Sequence, residues 1–182
     1  MPWNPEVYNQ FKNIRFKPFY DLAELITNEK EMKAVDLGCG TGEQTAILTE
    51  KFPNAQFTGI DSSPEMLEKS KALENERLHF KLSTTEEMLN ADENWDLIFS
   101  NAALQWSDNH HDLFPKLISK LKSGGQLAIQ MPYQPVNTLN KILSELAGDE
   151  PFRSQLKDWN RPSAVLTIDE YAQILFDNGM RI

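Results

Sequence analysis

The residues with the clearest chemical content are Asp36-Leu37-Gly38-Cys39-Gly40-Thr41-Gly42-Glu43, in which a short β-type run leads into three glycines at alternate positions. Glycine permits the tight turn such a junction needs and lets a ligand come close to the backbone. A dinucleotide fingerprint would space its glycines as GxGxxG. Counted from Gly38 the third position is Glu43, and counted from Gly40 it is Thr45, so neither frame completes that motif. Glu43 also brings negative charge to the start of a helix, where a pyrophosphate would bind. The loop therefore disfavours a nicotinamide dinucleotide, and a ligand with a cationic sulfonium and an amino group but no phosphate would tolerate that carboxylate better. Asp61 follows Gly42 by nineteen residues and ends a second β-type run, where a carboxylate can accept from both ribose hydroxyls. Its plainer role is to cap the helix that starts near Ser62.

The elements that must carry these residues follow from period and punctuation. β-type runs at Lys33 to Leu37, Gln56 to Ile60, Leu78 to Leu82, Trp95 to Ser100 and Gln126 to Met131 alternate with helical stretches at Glu43 to Lys51, Pro64 to Leu73 and Asp112 to Leu121. This is the pattern of an α/β domain with a mostly parallel sheet. Ser62-Ser63-Pro64-Glu65 reads as a helix start and Lys122-Ser123-Gly124-Gly125 as a helix stop. Residues 1–30 read as a helical lead-in or lid, 31–132 as the ligand-binding core, and 133–182 as a helical segment with helices near 137–147, 152–158 and 168–177. Asn178-Gly179 reads as a helix cap and Met180-Arg181-Ile182 as the opening of a further strand, so a truncated sheet is expected.

The 182 residues suit one domain, and a hydrophobic content of 40% with 25% charged residues is that of a globular protein. A net charge of −9 opposes binding to nucleic acid or anionic lipid. No run of apolar residues is long enough to span a membrane, and the opening residues lack a signal-peptide pattern. A single cysteine, Cys39, suits a reducing compartment, so a cytoplasmic protein is expected. His110 and His111 stand without a cysteine or acidic ligand set, so they read as surface or capping residues and no metal is expected.

Asp36-x-Gly38-x-Gly40-x-Gly42 and Gly59-Ile60-Asp61-Ser62-Ser63-Pro64-Glu65-Met66 together resemble the class I S-adenosylmethionine-dependent methyltransferases, from the first strand to at least Pro132. The resemblance implies a Rossmann-like, mostly parallel sheet with helices on both faces, here lacking its C-terminal strands. It places the methionine part of the cofactor on Asp36 and the loop Gly38, Cys39, Gly40 and Gly42. Asp61 would hold the ribose, and Ser62 and Met66 the adenosine surroundings, with helix core as the alternative for Met66. Where the family often has an Asp for the adenine amino group, this chain has Ser83, Thr84 and Thr85, whose hydroxyls or backbone would replace it. Glu86 and Glu87 read as a solvated helix start. Asn101 joins the cofactor set from the end of the fourth strand.

Trp3-Asn4-Pro5-Glu6-Val7-Tyr8 with Phe11, Arg15 and Pro18 resembles the opening of the trans-aconitate methyltransferases, as do Ser100-Asn101-Ala102-Ala103-Leu104-Gln105-Trp106 and Gln130-Met131-Pro132. Carboxyl methyltransferases of biotin synthesis, which act on a malonyl thioester, share something of the Asn-x-x-x-Gln-Trp element. Both resemblances imply methyl transfer to a carboxylate of a small acid. A carboxylate is ionised at neutral pH and needs no general base, so catalysis would rest on alignment and exclusion of water. The positioning candidates are Trp3, Tyr8, Arg15, Gln105 and Trp106, with Lys12 and Lys17 as assisting cations. The aromatics alternatively seal the sheet edge or fill the core, and Arg15 alternatively is a surface charge. Two readings from other classes stand beside this one: a cofactor-binding module without activity, and a nicotinamide-dependent oxidoreductase. The sequence is silent on oligomeric state.

Overall fold

A computed structural model describes residues 12–27, 31–133, 136–157 and 163–181, with the backbone alone for 12–15. The chain divides into two units, one formed by 1–104 and 116–130 and the other by 105–115 and 131–182.

The first unit is built on five parallel strands, β1 (Met32–Leu37), β2 (Ala55–Asp61), β3 (Leu78–Leu82), β4 (Trp95–Asn101) and β5 (Leu121–Gln130), in the order β3-β2-β1-β4-β5. The central strands β1 and β4 are buried along nearly their whole length, as parallel strands covered on both faces must be. The helices of this unit are α1 (Lys12–Glu24), α2 (Glu43–Lys51), α3 (Pro64–Ser70) with a tighter turn at Lys71–Leu73, and α4 (Thr85–Asn90). Phe19, Ala23 and Ile26 join Ala34, Leu48, Phe57, Leu97 and Phe99 in the core, where the Phe19 ring meets Phe99 edge-on at 5.9 Å. These three residues anchor the described part of the lead-in to the core.

The junction before β5 corrects the expected boundaries. The helix α5 (His110–Ser119) stops at Ser119, and Lys122 to Gly125 belong to β5. Trp95 pairs with Leu121 and Leu97 with Gln126, so the four residues between bulge out of the ladder. Gly124 takes the left-handed conformation there, at φ 78°. The left-handed glycine was legible, but it serves a bulge in a strand and not the end of a helix.

In the second unit lie α6 (Thr138–Gly148), α7 (Phe152–Gln155) and α8 (Ile168–Asp177), the last started by a capping box between Thr167 and Glu170. Leu139, Ile142, Leu143 and Leu146 leave the apolar stripe of α6 exposed. His110 departs from the surface role expected of it, being 1% exposed. Its Nδ1 pairs with the Tyr171 hydroxyl and its Nε2 lies 3.1 Å from the Ser107 carbonyl oxygen. The sequence hid this because the partner comes from a distant helix. His111 is exposed, 3.6 Å from Glu170.

Candidate cofactor site

The strand order reverses direction beside β1, since β2 and β3 lie on one side of it and β4 and β5 on the other. In open parallel sheets the crevice beyond the carboxyl ends at such a point is where ligands bind. The register sets Asp36 opposite Gly59 and Phe99, Asp61 opposite Leu82, and Asn101 opposite Gln130. The Ser100 hydroxyl donates to the Leu37 carbonyl at 2.9 Å and ties the end of β4 to that of β1.

The loop leaving β1 is held to the end of β2 by bonds from the Gly38 and Cys39 amides to the Ile60 carbonyl at 2.9 and 3.0 Å. Gly38, Gly40 and Gly42 all have positive φ, at 72°, 57° and 77°. Their surroundings differ in an informative way. A Cβ on Gly38 would stand 2.2 Å from Ala103 Cβ, and one on Gly42 would stand 2.5 Å from the Phe80 ring. Above Gly40 nothing lies within 4 Å. Two glycines are therefore required by protein neighbours, and the middle one opens onto free space that a ligand can enter. Phe80 and Ala103 are contributors that sequence reasoning missed, because close packing against a glycine has no signature at a distance.

Two carboxylates underlie the loop. Asp61 accepts from the Gly40 amide through Oδ2 at 2.9 Å and from the Ser63 amide through Oδ1 at 2.8 Å. Each oxygen keeps a lone pair for a further donor. Ser63 is the cap of α3, accepting from the Met66 amide at 3.2 Å, while Ser62 is exposed. Met66 is 45% exposed, so it is not helix core. Asp36 is buried and accepts from the Thr45 hydroxyl at 2.6 Å. Burial pushes its carboxyl up to about 7; the Thr45 bond opposes that shift and the Asp61 charge adds to it. Burial and the same two carboxylates raise the Cys39 thiol, so it stays protonated at neutral pH.

Asn101 donates through Nδ2 to Gln44 Oε1 at 3.1 Å, and its Oδ1 is buried with no hydrogen-bond partner among the described residues. Ser83 donates to the Asp61-facing start of α4, reaching Glu87 at 3.2 Å and the Thr84 carbonyl at 3.3 Å, and its amide donates to the Asp61 carbonyl at 3.1 Å. Thr84 and Glu87 form a capping box. The hydroxyls of Ser83 and Thr84 are thus engaged in starting α4, and Glu87 is a cap partner as well as a solvated residue. Thr85 is the first residue of that helix.

The remaining sequence candidates lie elsewhere. Trp3 and Tyr8 fall outside the described residues, as do the side chains of Lys12 and Arg15, although both belong to α1. Lys17 pairs with Asp21 at 2.5 Å. Gln105 and Trp106 belong to the second unit, on the short turn Leu104–Trp106, and Trp106 is 63% exposed, which removes it from the core. Among the described residues no group of histidine, cysteine, aspartate and glutamate could hold a metal ion. No described helix is long and apolar enough to cross a membrane.

At the carboxyl edge the structure thus offers an open Gly40 backbone, two carboxylates and an amide oxygen unpartnered among the described residues, a set whose chemistry suits a cationic, hydroxyl-bearing ligand. A family model described as a methyltransferase domain matches residues 28–179. The chain belongs to the class I S-adenosylmethionine-dependent methyltransferases. Methyltransferases similar to it include a trans-aconitate 2-methyltransferase of Deinococcus radiodurans, 40% identical, with 96% of this chain and 68% of that protein covered. Another is the trans-aconitate 2-methyltransferase of Methylobacterium radiotolerans, 36% identical over 86% of this chain and 59% of its own length. Among solved methyltransferase structures, plantazolicin methyltransferase BpumL in complex with SAH shares the fold, with a TM-score of 0.65 and 20% identity, covering 96% of this chain and 69% of that one.

Proposed function

We propose that this methyltransferase binds S-adenosylmethionine across the carboxyl edge of β1, β2 and β4 and esterifies a carboxylate of a small organic acid similar to trans-aconitate. The cofactor placement is carried by the loop geometry, in which Gly40 alone among the three loop glycines has open space above it while its amide is held by Asp61. The acceptor class is supported by the similarity to trans-aconitate 2-methyltransferases of two bacteria.

On this reading Asp61 accepts from the ribose hydroxyls through its remaining lone pairs. Asp36 and the backbone of Gly38, Cys39, Gly40 and Gly42 hold the amino-acid end. Met66, Ser62 and the Ser83-Thr84-Thr85 stretch border the adenine, the last through backbone and Thr85 more than through the two hydroxyls already used in α4. The bound cofactor supplies an electrophilic methyl group on a sulfonium. The protein's part is to keep the acceptor carboxylate in line with that carbon and to exclude water, because the acceptor needs no proton removed. Trp3, Tyr8, Arg15, Gln105 and Trp106 are the positioning candidates. The guanidinium of Arg15 is the group among them suited to a second carboxylate of the acceptor.

Calorimetric titration with S-adenosylhomocysteine, followed by trans-aconitate in the same cell, tests both halves. Binding of each in turn is expected. Cofactor binding with uptake of a malonyl thioester and not of trans-aconitate would replace the acceptor, and a folded chain that binds no S-adenosylhomocysteine would refute the site.

A further inference from the structure

Asn101 and Gln44 meet across the mouth of the glycine loop, one from the last position of β4 and the other from the first turn of α2. We propose that Gln44 is a positioning residue for the amino-acid end of the cofactor: it turns the Asn101 amide so that Oδ1 accepts from the cofactor's ammonium group. This inference rests on the cofactor placement proposed above.

The argument begins with the amide itself. Asn101 Nδ2 donates to Gln44 Oε1 at 3.1 Å, which fixes the direction of the planar group and leaves Oδ1 on the other side. That oxygen is buried and receives no hydrogen bond from the described residues. Buried amide oxygens are rarely left so, because the water they lose must be replaced by another donor. Its place in the fold identifies the donor. Asn101 stands at the carboxyl end of β4, and the preceding Ser100 ties that end to Leu37, the residue that leads into the loop. After Asn101 the chain turns through Ala102 at φ 54° and brings Ala103 against Gly38.

An amino-acid end offers two groups of opposite character. An ammonium has only donors, and a carboxylate has only acceptors. With Gln44 accepting from Nδ2, Asn101 presents an acceptor, so it selects the ammonium. The neighbouring carboxylates favour the same choice, since Asp36 lies on the adjacent strand in register with Phe99, and among the described residues neither it nor Asp61 forms an ion pair. Gln44 was absent from the sequence-based candidates because it lies outside the glycine pattern and touches the site through another residue.

The test compares two probes, S-adenosylhomocysteine and 5′-methylthioadenosine, which keeps the adenosine and the thioether but lacks the amino-acid end. Asn101→Ala and Gln44→Ala are each expected to weaken S-adenosylhomocysteine binding by about tenfold, as for a lost charge-assisted bond. Methylthioadenosine affinity should not change, and the double variant should be no weaker than Asn101→Ala alone. Gln44→Glu, which still accepts from Nδ2, should restore binding and separates positioning from a folding defect. Asn101→Asp should stay within a few-fold of wild type, because a carboxylate also accepts from an ammonium. Loss of S-adenosylhomocysteine binding in Asn101→Asp would show the amide donating to the cofactor carboxylate and would overturn the proposal. An unchanged affinity in Gln44→Ala, or a parallel fall for methylthioadenosine, would overturn it too. A wild-type chain that binds methylthioadenosine but not S-adenosylhomocysteine refutes this inference while sparing the adenosine site, whereas one that binds neither refutes the cofactor placement itself.

Discussion

The two edges of the same sheet are built on opposite principles. At the amino edge, charges are matched: Lys122 pairs with Asp96 at 2.7 Å, Lys33 pairs with Glu93, and Arg77 donates to the Thr49 carbonyl at 2.8 Å. A cavity there is lined by Lys33, Asn54, Arg77, Asp96 and Lys122, and the charged groups of Lys33, Arg77, Asp96 and Lys122 are each engaged by a protein partner. At the carboxyl edge, among the described residues, Asp36 and Asp61 accept only from a hydroxyl and from backbone amides, and Asn101 Oδ1 accepts from none. A concave surface is therefore a poor guide to the site. The better guide is where polar groups are gathered and left incompletely satisfied, which is costly unless a ligand completes them.

Glycine substitutions should separate the edges most strongly. Gly38→Ala would force a side chain into the left-handed region, about 1–2 kcal/mol, and drive its Cβ into Ala103, about 1–3 kcal/mol more. Its affinity for S-adenosylhomocysteine should fall with its stability. Gly124→Ala has the same backbone strain but open space around it, so it should cost only the strain and leave affinity unchanged. Thermal melts with and without ligand would show whether the two variants behave alike, which would break the distinction.

The acidic residues give the next contrast. Asp61→Ala is expected to weaken cofactor binding by about 1–3 kcal/mol, whereas Asp96→Ala should cost about 1 kcal/mol of stability and no affinity. Titration of both variants would sharpen or cancel that assignment.

A subtler difference lies in the response to pH. The Asp36 carboxyl is raised to about 7 in the folded chain by burial, so its charged form is disfavoured there. Its penalty is absent below the unfolded value near 3.8 and grows as pH rises toward about 7. Burial pushes Asp96 up, but the Lys122 ammonium and the Lys33 amide outweigh it and hold the carboxyl low, so its contribution is lost on acidification. Denaturant unfolding of wild type and Asp36→Asn between pH 4 and pH 7 should show the variant gaining stability relative to wild type as pH rises. A constant difference would mean that Asp36 titrates normally.

Much of the carboxyl edge was legible in the sequence because local rules govern it. The strand before Gly38, the glycine spacing and the acid at the end of β2 are each read from near neighbours, and they fall where the strand order reverses. What escaped depends on contacts between distant residues. Phe80 against Gly42, Ala103 against Gly38, Tyr171 against His110 and Gln44 against Asn101 join parts of the chain that no periodicity relates. The bulge at Lys122 to Gly125 escaped for another reason, since its glycines carry the same local signal as a helix stop and only pairing with β4 tells the two apart. The hydroxyls of Ser83 and Thr84 were legible as polar but not as already engaged by Glu87.

Hydrogen exchange of the chain with and without S-adenosylhomocysteine tests the central claim most directly, because it reads both edges in one experiment. The account predicts new protection along the loop from Gly38 to Gln44, around Asp61 to Met66 and at Asn101 to Ala103, with the amides near Lys33, Asn54 and Lys122 unchanged. Protection confined to the amino edge, or none at either edge at saturating ligand, would contradict it.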